Sequence, residues 1–309
     1  HGIGINSAVS SASNTGTMSV EYVRAAMWHA YLHGLRGMET WFWSRYWNIT
    51  LPDLEPAREF QGSILTMPHV LNAYAQTGLM LRRLSKQVVP FAQENSRVKL
   101  FFSEPSRLLS SRFNKELVTA YEGMYFLDNQ VRFLTDTQAA NGITPDTALI
   151  IVPFAPYVGD AAYQSLLQYA KNGGRILLVG DEVLGYSERG ELRDTAGLKA
   201  CPGVISAASM SREQYRDAVE TQMTTLGIDR PVRLLNEDGS FADRIESRTV
   251  RRDGRYMTYI INLDTKERAV KITKNGVPVL GAFDMIRNGR IDTSSLHLKR
   301  LEVLLLSLD

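Results

Sequence analysis

The stretch that most constrains the fold runs from Ala148 to Glu182, ALIIVPFAPYVGDAAYQSLLQYAKNGGRILLVGDE. Ala148 to Phe154 is an almost unbroken apolar run and Arg175 to Val179 is a second. Neither alternates, so both read as strands buried on two faces. Between them Asp160 can cap a helix whose Tyr163, Leu166, Leu167 and Ala170 share one face, and Gly173-Gly174 supplies a positive-φ stop. Together they make a βαβ unit, so the middle of the chain is predicted to be a parallel α/β sheet.

The flanks extend this pattern. Strands at Val98 to Phe102 and Val131 to Thr135, a helix around Lys115 to Leu127 and another from Arg212 to Leu226 belong with it, while 185–208, rich in Gly, Ser and charge, reads as a surface excursion. Residues 96–244 are therefore predicted to form an open doubly wound α/β sheet of flavodoxin type. From Ile245 to Asp309 the pattern is all β: short runs separated by Asp253-Gly254, Asn275-Gly276 and Asn288-Gly289, strong hairpin signals that predict a small antiparallel β-sandwich. Ahead of the sheet, residues 5–17 are small and polar. Ser19 then caps a helix with Val20, Val23, Met27, Ala30 and Tyr31 on its apolar stripe; Met38 to Trp43 reads as an aromatic strand, and Pro68 to about Gln87 as a second helix.

A chain of 309 residues exceeds the usual size of one hydrophobic core. Lys plus Arg number 35 against 33 for Asp plus Glu, a net charge of +2 without a basic run, so no nucleic-acid partner is expected. No apolar stretch reaches the length of a membrane span, so no membrane partner is expected either. The single cysteine, Cys201, permits no intrachain disulfide. The opening His1-Gly2-Ile3-Gly4-Ile5 has neither an initiator Met nor the regions of a signal peptide, and the expectation is a start inside a larger protein.

On an open sheet, chemistry belongs beyond the carboxyl ends of the strands, where this chain places Ser103, Glu104, Asp136, Asp181 and Glu182. The dinucleotide glycine pattern, a Walker sequence and a nucleophile elbow are all missing from these loops, so the sheet is expected to be catalytically silent. An alternative gives Glu104 and Asp181 a cation. His29 and His33 have the helical spacing at which two imidazoles share a metal, but no third ligand is identifiable nearby and the favoured role is helix packing or surface. All four tryptophans (28, 41, 43 and 47) lie in the first fifty residues. Trp28, inside the helix, is expected in the core; Trp43, at a strand end, suits the apolar face of a sugar ring. Glu39 reads as a packed or paired residue rather than a catalytic one, and Asn48-Ile49-Thr50 matches a glycosylation sequon.

Three segments then coincide in one family. AAMWHAYLHGLRGMETWFWSR resembles the last helix and eighth strand of the (β/α)8 barrel in retaining glycoside hydrolases of the β-galactosidase-like, family forty-two type. RVKLFFSEPS through LIIVPFAPYVGDAAYQSLLQYAKNGGRILLVGDE is similar to that family's glutamine-amidotransferase-like domain, and the strands ending LHLKRLEVLLLSL resemble its small C-terminal β domain. The resemblance implies three domains (barrel end 1–95, α/β oligomerisation domain 96–244, sandwich 245–309), a carbohydrate substrate, a homotrimer and no cofactor. It implies sugar contacts from His1, Trp41, Trp43 and Arg45. It assigns no catalytic residue to this chain, because the nucleophile and the acid/base glutamate are expected upstream of His1, about 5 Å apart from one another as retention requires. The alternative from another class is a non-catalytic α/β interaction module.

Overall fold

The computed structural model describes residues 19–38 and 68–308. The expected strand from Met38 to Trp43, beyond Met38 itself, and the expected sugar contacts His1, Trp41, Trp43 and Arg45 lie outside the described residues. The chain divides into two compact units, one of 1–94 with 231–309 and one of 95–230.

The first unit begins with α1 (Val20–Leu32), whose Ser19 cap accepts a hydrogen bond from the Tyr22 N–H at 3.1 Å. Gly34, at φ +102°, lets the chain leave the helix. The second predicted helix is two helices, α2 (Pro68–Arg83) and α3 (Ser85–Gln93).

The second unit carries strands β1 (Val98–Phe102), β2 (Val131–Thr135), β3 (Leu149–Pro153), β4 (Arg175–Val179) and β5 (Val204–Ala207). All pair in parallel, in the order β2-β1-β3-β4-β5. Its helices are α4 (Glu104–Leu109), α5 (Ser111–Tyr125), α6 (Asp136–Ala140), α7 (Asp160–Lys171), α8 (Ala196–Lys199) and α9 (Arg212–Thr225). Every residue of β3 is buried, as its unbroken apolar run requires. Two local expectations are corrected. Gly159, not Asp160, is the N-cap of α7; Asp160 occupies the first helical position, where it suits the positive helix end and pairs with Arg193. The region 185–208 is not only an excursion, since it holds β5.

The chain then returns to the first unit for β6 (Val232–Asn236), β7 (Ile245–Arg252), β8 (Arg255–Asn262), β9 (Arg268–Lys274), β10 (Val277–Pro278), β11 (Gly281–Asp284), β12 (Gly289–Asp292), β13 (Leu296–Leu298) and β14 (Val303–Leu308). These make two antiparallel sheets, β12-β11-β14-β8-β7 and a smaller one in which β9 pairs with β6, β10 and β13. Asp253 and Gly254 take φ of +49° and +79°, and Asn275 and Gly276 +50° and +79°, as tight hairpins with the strands' own twist demand.

The larger sheet is covered on both sides, and its period of two sorts the residues. Ile260, Leu304, Leu306 and Leu308 point into a core shared with Val232, Leu234, Val270 and Ile272 of the smaller sheet. Met257, Tyr259, Ile261 and Leu305 point the other way, into a core with Trp28, Leu32, Val70 and Phe91 of α1, α2 and α3. Trp28 is therefore a core residue, as expected.

In the second unit, Gly123 sets the approach of α5 to α9: a Cβ there would lie 2.6 Å from the Arg212 carbonyl oxygen and 2.8 Å from Tyr215 Cβ. Neither atom is the end of a flexible side chain. Gly123→Val is expected to lower stability by about 2 kcal/mol or more through overpacking, read as a drop in the urea midpoint; an unchanged midpoint would contradict this packing.

Candidate functional site

At the carboxyl ends of β1 and β2, Ser103, Ser106 and Asp136 are occupied with holding loops. Ser103 caps α4, and the hydroxyls of Ser103 and Ser106 both donate to the Tyr157 carbonyl at 2.6 Å. The Tyr157 N–H donates in turn to Ser106 Oγ at 2.9 Å. Asp136 Oδ2 accepts the Glu104 N–H at 2.7 Å. Burial pushes the Asp136 carboxyl above its usual range, against hydrogen bonds from Glu104, Ser103 and Gly159. Asp181 and Glu182 stand exposed in the turn after β4. Together these contacts fasten the loops after β1, β2 and β3 to one another.

Among the described residues, the one group of three or more His, Cys, Asp or Glu side chains close enough to share an ion lies elsewhere, in the first unit: His29, His33 and Glu246. Glu104 and Asp181 are not part of it. The helix supplies the two imidazoles because residues four apart lie above one another on one face; their ring centroids are 4.2 Å apart. The strand supplies the carboxylate because alternation along β7 turns Glu246, Arg248 and Val250 to the side on which Val250 meets the helices.

Glu246 is fully buried and holds its charge by convergent donors. His33 Nε2 lies 2.6 Å from Oε1, Tyr259 donates its hydroxyl to Oε1 at 2.6 Å, and Arg248 lies 3.6 Å away. His29 Nε2 faces the other oxygen, Oε2, at 3.4 Å. Burial by itself would push the Glu246 carboxyl up, but the hydrogen bonds from His29 and His33, the charge His33 carries once protonated, and the charge of Arg248 hold it well below the ordinary 4.5. Burial lowers His33 below 6.5, outweighing the pull of Glu246. A neutral imidazole donating to an ionised carboxylate follows.

The histidine pair was visible from its spacing; Glu246 was not. Its segment, IESRTVRR, places Glu and Arg at alternate positions, which reads as a solvated face. That face is instead covered by the helices.

Comparison with known proteins shows a likeness of fold. No protein-family model matches the chain, and no curated protein matches it. Solved structures do. Over 94% of its length the chain superposes on an apo GH42 exo-carrageenase from Bacteroides ovatus, with a TM-score of 0.79 at 17% identity, over 39% of that chain. It superposes over 94% on a catalytic mutant of Gan42B, a GH42 β-galactosidase from G. stearothermophilus, with a TM-score of 0.73 at 13% identity, over 51% of that chain. This chain has a GH42-like fold. A β-galactosidase from Rahnella sp. R3 matches as well, with a TM-score of 0.68 at 12% identity, over 51% of that chain. The GH42-like chain thus spans about half, or less, of the length of the structures it matches. At these identities the likeness is one of fold.

Acid should weaken the His–Glu cluster in two steps of the same sign. His33 has a folded pKa below 6.5, so its neutral form favours folding above that value and stability falls as pH drops beneath it. Glu246, with a folded pKa well below 4.5, contributes stability above 4.5 that is lost on further acidification. Urea midpoints measured from pH 7 downward are expected to fall through both ranges. In Glu246→Gln the step below about 4.5 should shrink, the remainder coming from other carboxylates held low, such as Asp264 beside Arg268, and stability at neutral pH should fall by about 3 kcal/mol because the buried Arg248 guanidinium loses the negative charge it faces.

Proposed function

We propose that this GH42-like chain is the C-terminal portion of a β-galactosidase-like retaining glycoside hydrolase acting on β-galactosides or related β-linked oligosaccharides. The supporting observation is the superposition of 94% of the chain on a GH42 exo-carrageenase and a GH42 β-galactosidase, of which it spans 39% and 51%. In this reading residues 1–95 end the (β/α)8 barrel, with His1, Trp41, Trp43 and Arg45 on the sugar. Residues 96–244 form an amidotransferase-like domain, and the strand order β2-β1-β3-β4-β5 supports its flavodoxin-type description. Residues 245–309 complete a sandwich together with β6, a description supported by the core shared between the two antiparallel sheets.

The parent enzyme would cleave its substrate with two carboxylates about 5 Å apart, through a covalent glycosyl-enzyme. The part of this chain would be to buttress the barrel and to assemble trimers. The edge of the parallel sheet suits assembly: Phe133 on β2 is 43% exposed and stacks on Tyr121, and on α4, the helix that follows the adjacent strand β1, Leu108 is 80% exposed. Apolar side chains on a bare sheet edge are a template for a partner. The same surface favours the second reading, a non-catalytic α/β interaction module.

Incubation of this chain with a chromogenic β-galactoside is expected to give no hydrolysis; turnover removed by substitution within the chain would overturn its assignment as the portion without the catalytic carboxylates. In analytical ultracentrifugation the chain is expected to form trimers that Phe133→Glu weakens. A monomer at every concentration would remove the oligomerisation role.

A further inference from the structure

His29, His33 and Glu246 have no part in the glycosidase reading, yet a helix and a strand distant in sequence bring them together. We propose that they bind one divalent transition-metal ion of the zinc type, with solvent completing the coordination. The inference goes beyond the glycosidase reading and does not depend on it.

The ligand set comes first. Two imidazoles and one carboxylate, without a thiolate, suit zinc, cobalt or nickel and are a poor match for calcium or magnesium, which take oxygen ligands. One ligand atom from each residue lies within 4.8 Å of the others. Zinc bonds of about 2.0–2.2 Å at a tetrahedral angle put two ligand atoms roughly 3.3 Å apart. His29 Nε2 and Glu246 Oε2 already stand at 3.4 Å.

The two carboxylate oxygens divide the work. Oε1 is held from behind by the Tyr259 hydroxyl at 2.6 Å and faces Arg248 at 3.6 Å. Such outer contacts fix the orientation of a ligating carboxylate. Oε2 is the oxygen turned toward His29, so the ion belongs on that side, away from the guanidinium. His33 Nε2, at 2.6 Å from Oε1, is in a hydrogen bond and too near it for both atoms to ligate one ion. Binding therefore replaces that hydrogen bond with a metal bond, each imidazole ligating as the neutral ring through Nε2 with its one proton on Nδ1. The positive charge of Arg248 opposes the ion and moderates its affinity.

Access is also present. Glu246 has no exposed side-chain surface, whereas His29 and His33 keep 27% and 22%. An ion can reach the imidazoles from water while the carboxylate awaits it below. Once bound it would clip α1 to β7, joining segments more than two hundred residues apart in the chain.

The chain, freed of metal by chelation, is titrated with Zn2+ by calorimetry and with Co2+ by visible absorption. One equivalent of each is expected to bind, Co2+ giving the bands of a low-coordinate site. His29→Ala and His33→Ala should each abolish binding while circular dichroism stays unchanged, and Tyr259→Phe should weaken it about tenfold. No uptake, or uptake retained by either histidine variant, would overturn the site. A second measurement needs no variant: Zn2+ should slow acylation of His29 and His33 by diethylpyrocarbonate and leave His297, 63% exposed, untouched. Equal rates at all three with and without Zn2+ would equally refute it.

Discussion

A carboxylate without solvent is the constraint on which the first unit depends. Glu246 keeps its charge inside the protein because side chains converge on it, among the described residues His29 and His33 from α1, Tyr259 from β8 and Arg248 from its own strand. Apolar packing of Trp28, Phe91, Tyr259 and Leu305 supplies much of the attraction between helices and sheet, but such packing is non-directional. The carboxylate adds direction. A shift of β7 by one residue would send Glu246 and Arg248 to the opposite, apolar core, away from both histidines. Thus one ionic cluster ties the register of a strand to the seat of a helix.

How much could be read from the sequence follows from which interactions are local. The parallel sheet was legible because β3 and β4 are buried on two faces and so appear as unbroken apolar runs. Hairpins at Asp253-Gly254 and Asn275-Gly276 were legible because only particular residues accept positive φ at two successive positions. β5 escaped notice: Val204–Ala207 is short and only partly covered, so its segment looks like the loop around it. The split between α2 and α3 was also hidden, since the apolar stripe continues across Leu84.

The candidate site shows the same limit. Two of its ligands announce themselves by helical spacing, but the third lies 213 residues beyond His33, on a strand whose alternation mimics a solvated face. Local sequence cannot say that helices will cover that face. The family resemblance worked differently, through the order of domains rather than individual motifs. A fold shared at 12–17% identity fits that distinction, because apolar periodicity survives substitutions that erase motifs.

The most direct measurement of the central ionic constraint is a double-mutant cycle between His33→Ala and Glu246→Gln, followed by urea unfolding of metal-free protein at neutral pH. If the buried carboxylate seats the helix through His33, the two substitutions should couple by at least about 1.5 kcal/mol. Additive effects, with coupling within about 0.3 kcal/mol of zero, would show that α1 is placed by apolar packing alone and would contradict the role of Glu246 in seating it.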